Sequence, residues 1–119
     1  MKKTLVFGAS PNPQRYAHIA VNRLLDHGHD IALVGRREGE IRGHEIQTDW
    51  PKIEEVDTIT LYMGPQHQPG FYDYLLSHQP KRIIFNPGTE NEDLVQKAQE
   101  QGIHTEYACT LVMLAAGLY

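Results

Sequence analysis

The chain has 119 residues, 40% hydrophobic and 22% charged, which predicts a single domain over residues 1–119 with a modest core. Its formal net charge of −4 excludes a general attraction to nucleic acid or to anionic membranes, so any anion site must be local. No apolar stretch reaches the roughly eighteen residues of a membrane span, and the only cysteine, Cys109, rules out an internal disulfide and favours a reducing, cytoplasmic setting.

Strand and helix patterns alternate from the start of the chain. The apolar run that begins at Thr4 and stops before Gly8 predicts a buried parallel strand. Apolar residues at three- and four-residue steps from Ala17 to Leu25 predict an amphipathic helix that ends at Gly28, and residues 30–34 predict a second strand. This unit favours a right-handed crossover between two parallel strands.

The next stretch, residues 35–51, is charged and dotted with glycine, and we interpret it as a long functional loop. Residues 52–56 are expected to form one turn of helix. Further strands are predicted at 58–63, 82–85 and 103–107, and further helices at 69–78, 91–101 and 109–118. The last helix is apolar nearly all round, so we expect it to pack on the sheet or against a second copy of the chain in a homodimer.

This order of elements predicts an α/β fold, a doubly wound, three-layer, Rossmann-like parallel sheet of about five strands. In such a sheet, ligands bind outside the carboxyl ends of the strands. The candidate walls of a site are therefore the turns that follow the strands, at residues 8–12, 35–37, 63–65, 86–88 and 108–109.

The turn after the first strand lacks both the G-x-G-x-x-G fingerprint of dinucleotide sites and the lysine of a P-loop. Gly8 permits a sharp exit from the strand, Ala9 lets a ligand approach the backbone, and Ser10 offers a hydroxyl to a phosphate or to a helix end. Because a strand precedes this turn and a helix follows it, we favour a diphosphate site over a plain helix cap.

Arg36 and Arg37 follow the second strand. Rossmann domains that bind NAD usually carry an acidic residue there for the ribose hydroxyls, whereas arginine suits a phosphorylated ribose. A solvated loop is an equally weighted alternative.

Histidine and cysteine give no clear catalytic or metal signal. The seven histidines show no H-x-x-x-H pair and no Cys/His cluster, so no metal site and no catalytic residue are predicted. His67, just past Gly64 and Pro65, is a candidate ligand contact, although we favour the interpretation that it takes no part in binding. Cys109 opens the last helix, where a thiol could be activated, but a small buried hydrophobic residue is the favoured interpretation.

Several short groups of residues follow one another in a defined order and spacing along the chain. They are Gly8-Ala9-Ser10-x-Asn12-x-x-Arg15-Tyr16, Glu40-Ile41-x-Gly43-x-x-Ile46, Val56-Asp57, Gly88-x-x-Asn91 with Ala98 and Gly102, and Cys109. With this spacing, nearly the whole chain resembles the small single-domain CoA-binding proteins, whose Rossmann-like domain is similar to the nucleotide domain of succinyl-CoA synthetase alpha subunits. That family usually has Asn-Pro where this chain has Gly35-Arg36, and usually Pro where it has Thr110.

The resemblance implies that CoA lies across the strand ends, with its diphosphate at Ser10 and its phosphorylated ribose and adenine near the end of the second strand. It implies first-turn contacts from Gly8, Ser10, Asn12, Arg15 and Tyr16. Together with the other turns of this edge, the predicted cofactor-binding residues are Gly8, Ala9, Ser10, Asn12, Arg15, Tyr16, Gly35, Arg36, Arg37, Gly64, Pro65 and Gly88.

These observations favour a non-catalytic or regulatory module that binds CoA or an acyl-CoA. An NADP-binding, reductase-like module is the alternative, because the same arginines suit NADP, although the glycine fingerprint and the room for a substrate domain are missing. Catalysis is left open, and holding a ligand is favoured over reacting with it. The expected partners are a small CoA-type molecule and a second copy of the chain, with no nucleic acid and no membrane.

Overall fold

A seven-stranded β-sheet runs through the centre of the computed structural model, which describes residues 3–119; Met1 and Lys2, the first residues of the predicted domain, lie outside it. The strands are β1 (Thr4–Phe7), β2 (Ile31–Val34), β3 (Glu40–Ile41), β4 (His44–Gln47), β5 (Thr58–Leu61), β6 (Arg82–Phe85) and β7 (His104–Tyr107). Their order in the sheet is β3-β4-β2-β1-β5-β6-β7. All neighbours pair in parallel except β3 and β4, which are antiparallel.

Helices cover both faces of this sheet. They are α1 (Tyr16–Asp26), α2 (Tyr72–Ser77), α3 (Glu92–Glu100) and α4 (Thr110–Ala115), with short 3-10 turns at Pro65–His67 and Pro69–Phe71. Side chains of α1 and α4 pack with Val6 and Leu33 on one face, and side chains of α2 and α3 pack with Leu5 and Phe7 on the other. The predicted three-layer, doubly wound α/β class is confirmed, with seven strands instead of about five.

The prediction of a long loop over residues 35–51 was wrong. This stretch contains a hairpin, β3 and β4, whose two central residues, Arg42 and Gly43, both have positive φ angles of 51° and 85°, as a two-residue hairpin turn requires. Ile41 and Ile46 bury their side chains against the sheet. The strands were missed because they are short and expose most of their other residues, so neither an apolar run nor a clear alternation marks them.

Other predicted helices differ from those observed. Residues 52–56 form no helix, and Glu55 has a φ angle of 59°, outside the helical region. The predicted helix at 69–78 is divided into a 3-10 turn and the six-residue α2. The last helix spans only Thr110–Ala115; it buries Met113 and Leu114 but leaves Val112 63% exposed, and Leu118 beyond it is 72% exposed. A homodimer through this surface stays a prediction.

The order of the parallel strands positions the site. If β4 is counted as the third parallel strand, the sheet has the order 3-2-1-4-5-6 of a Rossmann fold. β2 lies on one side of β1 and β5 on the other, so the direction of winding reverses at β1. A crevice is therefore expected at the carboxyl ends of β1 and β5, where the chain leaves the two neighbouring strands toward opposite faces of the sheet. Within residues 3–119, no helix has the length and apolar character needed to cross a membrane.

Candidate functional site

A cleft of about 490 Å³ lies at the carboxyl edge of the sheet, beyond β1, β5 and β6. This volume is within the range of roughly 300–1,000 Å³ that is usual for small-molecule sites. Ten of the predicted binding residues line it: Gly8, Ala9, Ser10, Asn12, Arg15, Tyr16, Arg36, Arg37, Gly64 and Gly88. The structure thus brings together turns that are far apart in sequence.

Two predicted binding residues, Gly35 and Pro65, are not part of this lining. Gly35 lies behind the first turn, where an added Cβ would come within 2.3 Å of the carbonyl oxygen of Ala9. Pro65 begins the 3-10 turn after Gly64. Gly35 therefore lets the end of β2 approach the first turn, which is a packing role that the sequence alone does not distinguish from ligand contact.

The first turn is clamped between the two neighbouring strands. The amides of Gly8 and Ala9 both donate to the carbonyl oxygen of Val34, at 2.9 and 3.0 Å. Gly8 has a φ angle of +98°, and a Cβ there would lie 3.0 Å from the backbone nitrogen of Met63. Only glycine fits this conformation without strain. Because both amides are already used, an anion must be met by groups further along the turn.

The start of α1 supplies such groups. Arg15 is the N-cap residue, and its side chain makes no cap hydrogen bond, since a guanidinium group has donors but no acceptor. The first amides of the helix, at Tyr16 and Ala17, therefore lack a side-chain cap, and both residues line the cleft. Free helix amides and the positive end of the helix dipole favour a bound anion.

Side chains of the turn hold its shape and keep donors for a ligand. The hydroxyl oxygen of Ser10 accepts from the amide of Asn12 at 3.1 Å, and Oδ1 of Asn12 accepts from the amide of Gln14 at 3.0 Å. His18 Nδ1 donates to the carbonyl oxygen of Ser10 at 3.1 Å. Within the described structure, the hydroxyl proton of Ser10 and the amide hydrogens of Asn12 remain available to donate.

Three arginines surround this end of the cleft. Arg15, Arg36 and Arg37 are exposed and line the cleft, and none of them is in an ion pair within residues 3–119. The lining residues include no aspartate or glutamate. A chain with a net charge of −4 thus has a locally cationic site.

The opposite wall is built by the turns after β5 and β6 and is anchored by Asn86, a buried residue. Its Nδ2 donates to Thr60 Oγ1 at 2.7 Å and to the carbonyl oxygen of Leu61 at 3.0 Å, while its Oδ1 accepts from the amide of Thr110 at 2.9 Å. The carbonyl oxygen of Asn86 also accepts from the hydroxyl of Thr89 at 2.8 Å. One side chain therefore joins β5, β6 and the start of α4.

Tyr62 and Thr89 line the cleft but are absent from the sequence-based set. Thr58 and Thr60 alternate along β5 and Tyr62 follows its last residue, so the period of two could have indicated that Tyr62 shares a face with the buried threonines. Burial raises the pKa of Tyr62 to about 12, so its hydroxyl is neutral at physiological pH. The position of Thr89 depends on the turn after β6, for which the sequence gives no comparable signal.

Candidate reactive groups are dispersed. His67 is exposed and lines the cleft, as its position after Gly64 suggested. Cys109 is half-buried at the start of α4 and is not among the lining residues. Residues 3–119 contain no group of three or more His, Cys, Asp or Glu side chains arranged to hold a metal ion.

A second concavity, of about 610 Å³, lies against β2 and β4. Its lining mixes lysines with glutamates, namely Lys3 and Lys52 with Glu45 and Glu54, and includes none of the predicted binding residues. We place the candidate site at the carboxyl edge because that edge combines helix amides with uncompensated arginines.

Solved structures with the same architecture were found. An uncharacterized protein of known crystal structure matches with a TM-score of 0.98 and 54% identity, over 100% of this chain and 98% of that one. A hypothetical protein from Pyrococcus horikoshii OT3 matches with a TM-score of 0.85 and 25% identity, over 98% of this chain and 83% of that one. Comparison with curated proteins gave no match.

A larger protein contains a similar fold. The apo form of dinucleotide-forming acetyl-coenzyme A synthetase 1 from Ca. Korarchaeum cryptofilum matches with a TM-score of 0.72 and 18% identity, over 87% of this chain but only 25% of that chain. At this identity the likeness concerns the fold alone. The family model for the CoA binding domain matches residues 2–115, nearly the full length of the sequence, and the chain therefore belongs to the CoA-binding domain family.

Proposed function

We propose that this chain binds CoA or an acyl-CoA in the cleft at the carboxyl edge of the sheet and acts as a non-catalytic or regulatory module. Membership of the CoA-binding domain family supports a CoA-type ligand. The observation that carries the proposal is the combination, in one cleft, of an N-cap without acceptor at α1 and three arginines outside any described ion pair.

The diphosphate is assigned to the start of α1. The amides of Tyr16 and Ala17, the hydroxyl of Ser10 and the side-chain amide of Asn12 would donate to its oxygens. The guanidinium of Arg15 adds a positive charge to the same end of the cleft. Charge-assisted hydrogen bonds of this kind are about twice as strong as neutral ones.

The ribose 3′-phosphate is assigned to Arg36 and Arg37, which follow β2 directly beyond Gly35. Their place in the sheet is the one where Rossmann domains distinguish a free ribose from a phosphorylated one. Both guanidinium groups are exposed, so the contribution of each is smaller than it would be in a dry site.

A holding role is proposed because the lining residues do not form a catalytic pair. They include no carboxylate and no thiol. The imidazole of His67 is exposed and makes no hydrogen bond to another lining side chain within residues 3–119, and burial raises the pKa of Tyr62 to about 12. A general base would need a group near its operating pH within hydrogen-bond reach of a second reactive group.

An NADP-binding module is the second candidate. Arg36 and Arg37 suit a 2′-phosphate as well as a 3′-phosphate, and the strand order 3-2-1-4-5-6 is that of dinucleotide-binding domains. The clamped turn without a G-x-G-x-x-G pattern argues against it.

Calorimetric titration of the purified chain with CoA, acetyl-CoA and NADP separates these functions. We expect saturable binding of CoA and of acetyl-CoA, each tighter than that of NADP. Tighter binding of NADP would favour the second candidate. Absence of heat and of any thermal shift with millimolar CoA would overturn the proposed function.

A further inference from the structure

Gln68 is a fully buried polar residue between the two turns that form the far wall of the cleft. Its Nε2 donates to the carbonyl oxygens of Met63 and Thr89, both at 2.9 Å. Its Oε1 accepts from Nδ2 of Asn91 at 2.8 Å. A buried amide is costly unless its groups are bonded, and here both ends of the amide have partners.

These bonds join turns that belong to different strands. Met63 follows β5, whereas Thr89 follows β6, and both residues line the cleft. The register pairs of β5 and β6 end at Leu61 with Phe85, so the wall extends past the last ladder bonds of the sheet. Gln68 continues the connection between the two strands where the ladder has stopped.

Asn91 fixes which way the Gln68 amide faces. Nδ2 of Asn91 donates to Gln68 and to the hydroxyl of Tyr72, both at 2.8 Å, while its Oδ1 accepts from the amides of Asp93 and Leu94 at the start of α3. A flipped Gln68 amide would place its oxygen against two carbonyl oxygens and lose both donations. The far wall is therefore held in one arrangement.

The chemistry of this wall differs from that of the arginine end. Met63, Gly64, Pro87, Gly88 and Thr89 present backbone and small or apolar groups, beside the exposed imidazole of His67, and the lining there carries no guanidinium and no carboxylate. Glu90, outside the lining, accepts from the amide of Gly88 at 2.9 Å. Such a surface suits an uncharged chain with amide groups better than a phosphate. A flexible chain loses rotamer freedom on binding, so its affinity depends on a wall that is already in place.

We infer that Gln68 is a positioning residue that sets the far wall for the uncharged, amide-bearing arm of the ligand, the pantetheine part of CoA. This inference rests on the proposed function, and it assigns the two ends of the cleft to two parts of one ligand. Gln68 acts through the wall it holds and does not itself line the cleft.

The test compares CoA with adenosine 3′,5′-bisphosphate, which has the 3′-phosphorylated adenosine and one 5′-phosphate but lacks the second phosphate of the diphosphate and the arm. Gln68→Met removes both donations at similar length. Asn91→Asp is the second variant, because it keeps the acceptor that caps α3 and removes the donation that orients Gln68. It also removes the donation to the hydroxyl of Tyr72, but that hydroxyl can donate to the new carboxylate. Thr4→Val is the control, since it removes a part-buried hydrogen bond to Tyr119 at the opposite end of β1. Titration calorimetry gives the dissociation constant of each ligand for each variant.

We expect Gln68→Met to weaken the binding of CoA by about tenfold or more and to change the binding of the bisphosphate by less than about twofold. Thr4→Val should leave both dissociation constants unchanged. Asn91→Asp is expected to give the same split with a smaller loss for CoA, and it decides the matter if Gln68→Met does not fold.

Equal losses for the two ligands, or no loss for CoA, would overturn the role of Gln68. If the wild-type chain binds the bisphosphate as tightly as CoA, the far wall does not hold the arm, and the inference fails while nucleotide binding stands. If the wild-type chain binds neither ligand, the proposed function fails and the inference fails with it.

Discussion

At the scale of single residues, the site depends on glycines that allow backbone segments to meet. Gly8 combines a positive φ angle with close contact to the backbone after β5, and Gly35 faces the carbonyl oxygen of Ala9 without such an angle. Sequence reasoning treats both as ligand contacts, because a glycine after a parallel strand is typical of nucleotide sites. The structure separates them, since Gly8 lines the cleft and Gly35 supports the turn from behind.

Substitution of Gly35 tests this supporting role. A Cβ at 2.3 Å from a backbone oxygen cannot be accommodated by side-chain movement, so Gly35→Ala should displace the first turn and lower the free energy of unfolding by about 1–3 kcal/mol. Gly70→Ala is the matched control, because a Cβ there meets no atom within 4 Å. Urea unfolding followed by circular dichroism measures both. Equal stability of the two variants would show that the first turn can move without loss of stability.

At the scale of elements, α2 holds the segment of residues 50–53 against the sheet. Tyr74 donates its hydroxyl to the carbonyl oxygen of Pro51 at 2.5 Å, and Lys52 Nζ donates to the carbonyl oxygen of Ser77 at 2.9 Å. The ring of Trp50 packs on that of Phe71 with centroids 4.5 Å apart. This segment leads into β5 without a helix, so its hydrogen bonds with α2 replace the packing that a crossover helix would provide.

His78 makes the third of these bonds and gives them a pH dependence. Its Nδ1 donates to the carbonyl oxygen of Tyr74, and its Nε2 accepts from the amide of Ile53 at 3.1 Å, which only the neutral ring can do. Burial lowers the pKa of His78 below its ordinary value of 6.5, and Lys52 lowers it further, while the Tyr74 carbonyl and Glu54 act in the opposite direction. The folded chain therefore binds fewer protons than the unfolded chain just below pH 6.5.

Stability should consequently fall as the pH drops from about 6.5 through the lowered pKa of folded His78. His78→Gln keeps an acceptor near Ile53 but does not titrate, so its loss of stability between pH 7.5 and pH 5 should be smaller than that of the wild type. His44→Gln, at an exposed strand residue, should retain the wild-type dependence. The midpoints of urea unfolding at the two pH values measure this difference. Equal losses of stability in all three proteins would show that His78 is not the cause.

At the scale of the whole molecule, the sequence predicts the parts of the fold that are marked by unbroken apolar runs. β1 and β6 are four-residue strands buried at nearly every position, and α1 has a clear apolar face, so their positions and the α/β class follow from the residues. β3 and β4 were missed because β3 has only two residues and β4 has two exposed residues among its four, so neither contains an unbroken apolar run.

The candidate site was predictable to the extent that it is made of turns. The turns after β1, β2, β5 and β6 meet at one edge because parallel strands end on the same side. The bonds that fix their spacing were not predictable, because Gln68 contacts the turns that follow two different strands and Asn86 reaches α4, 24 positions further along. Such long-range contacts of single polar side chains leave no periodic pattern in a sequence.

The distribution of charge also appears only at this scale. The net charge of the chain is −4, so the molecule as a whole does not attract a polyanionic ligand. The attraction must come from the cleft, where Arg15, Arg36 and Arg37 meet the start of α1. A ligand with phosphates at both places should therefore bind better than one that lacks either.

The most direct test of this account is calorimetric titration with CoA and dephospho-CoA of the wild type and of the double variant Arg36→Ala with Arg37→Ala. Because only CoA has the ribose phosphate, the double variant should weaken CoA by about tenfold and dephospho-CoA by less than about twofold. Arg23→Ala with Lys97→Ala, which removes the same charge from exposed positions outside the cleft lining, should leave both affinities close to wild type. Equal losses for CoA and dephospho-CoA in the Arg36 and Arg37 variant would contradict the account.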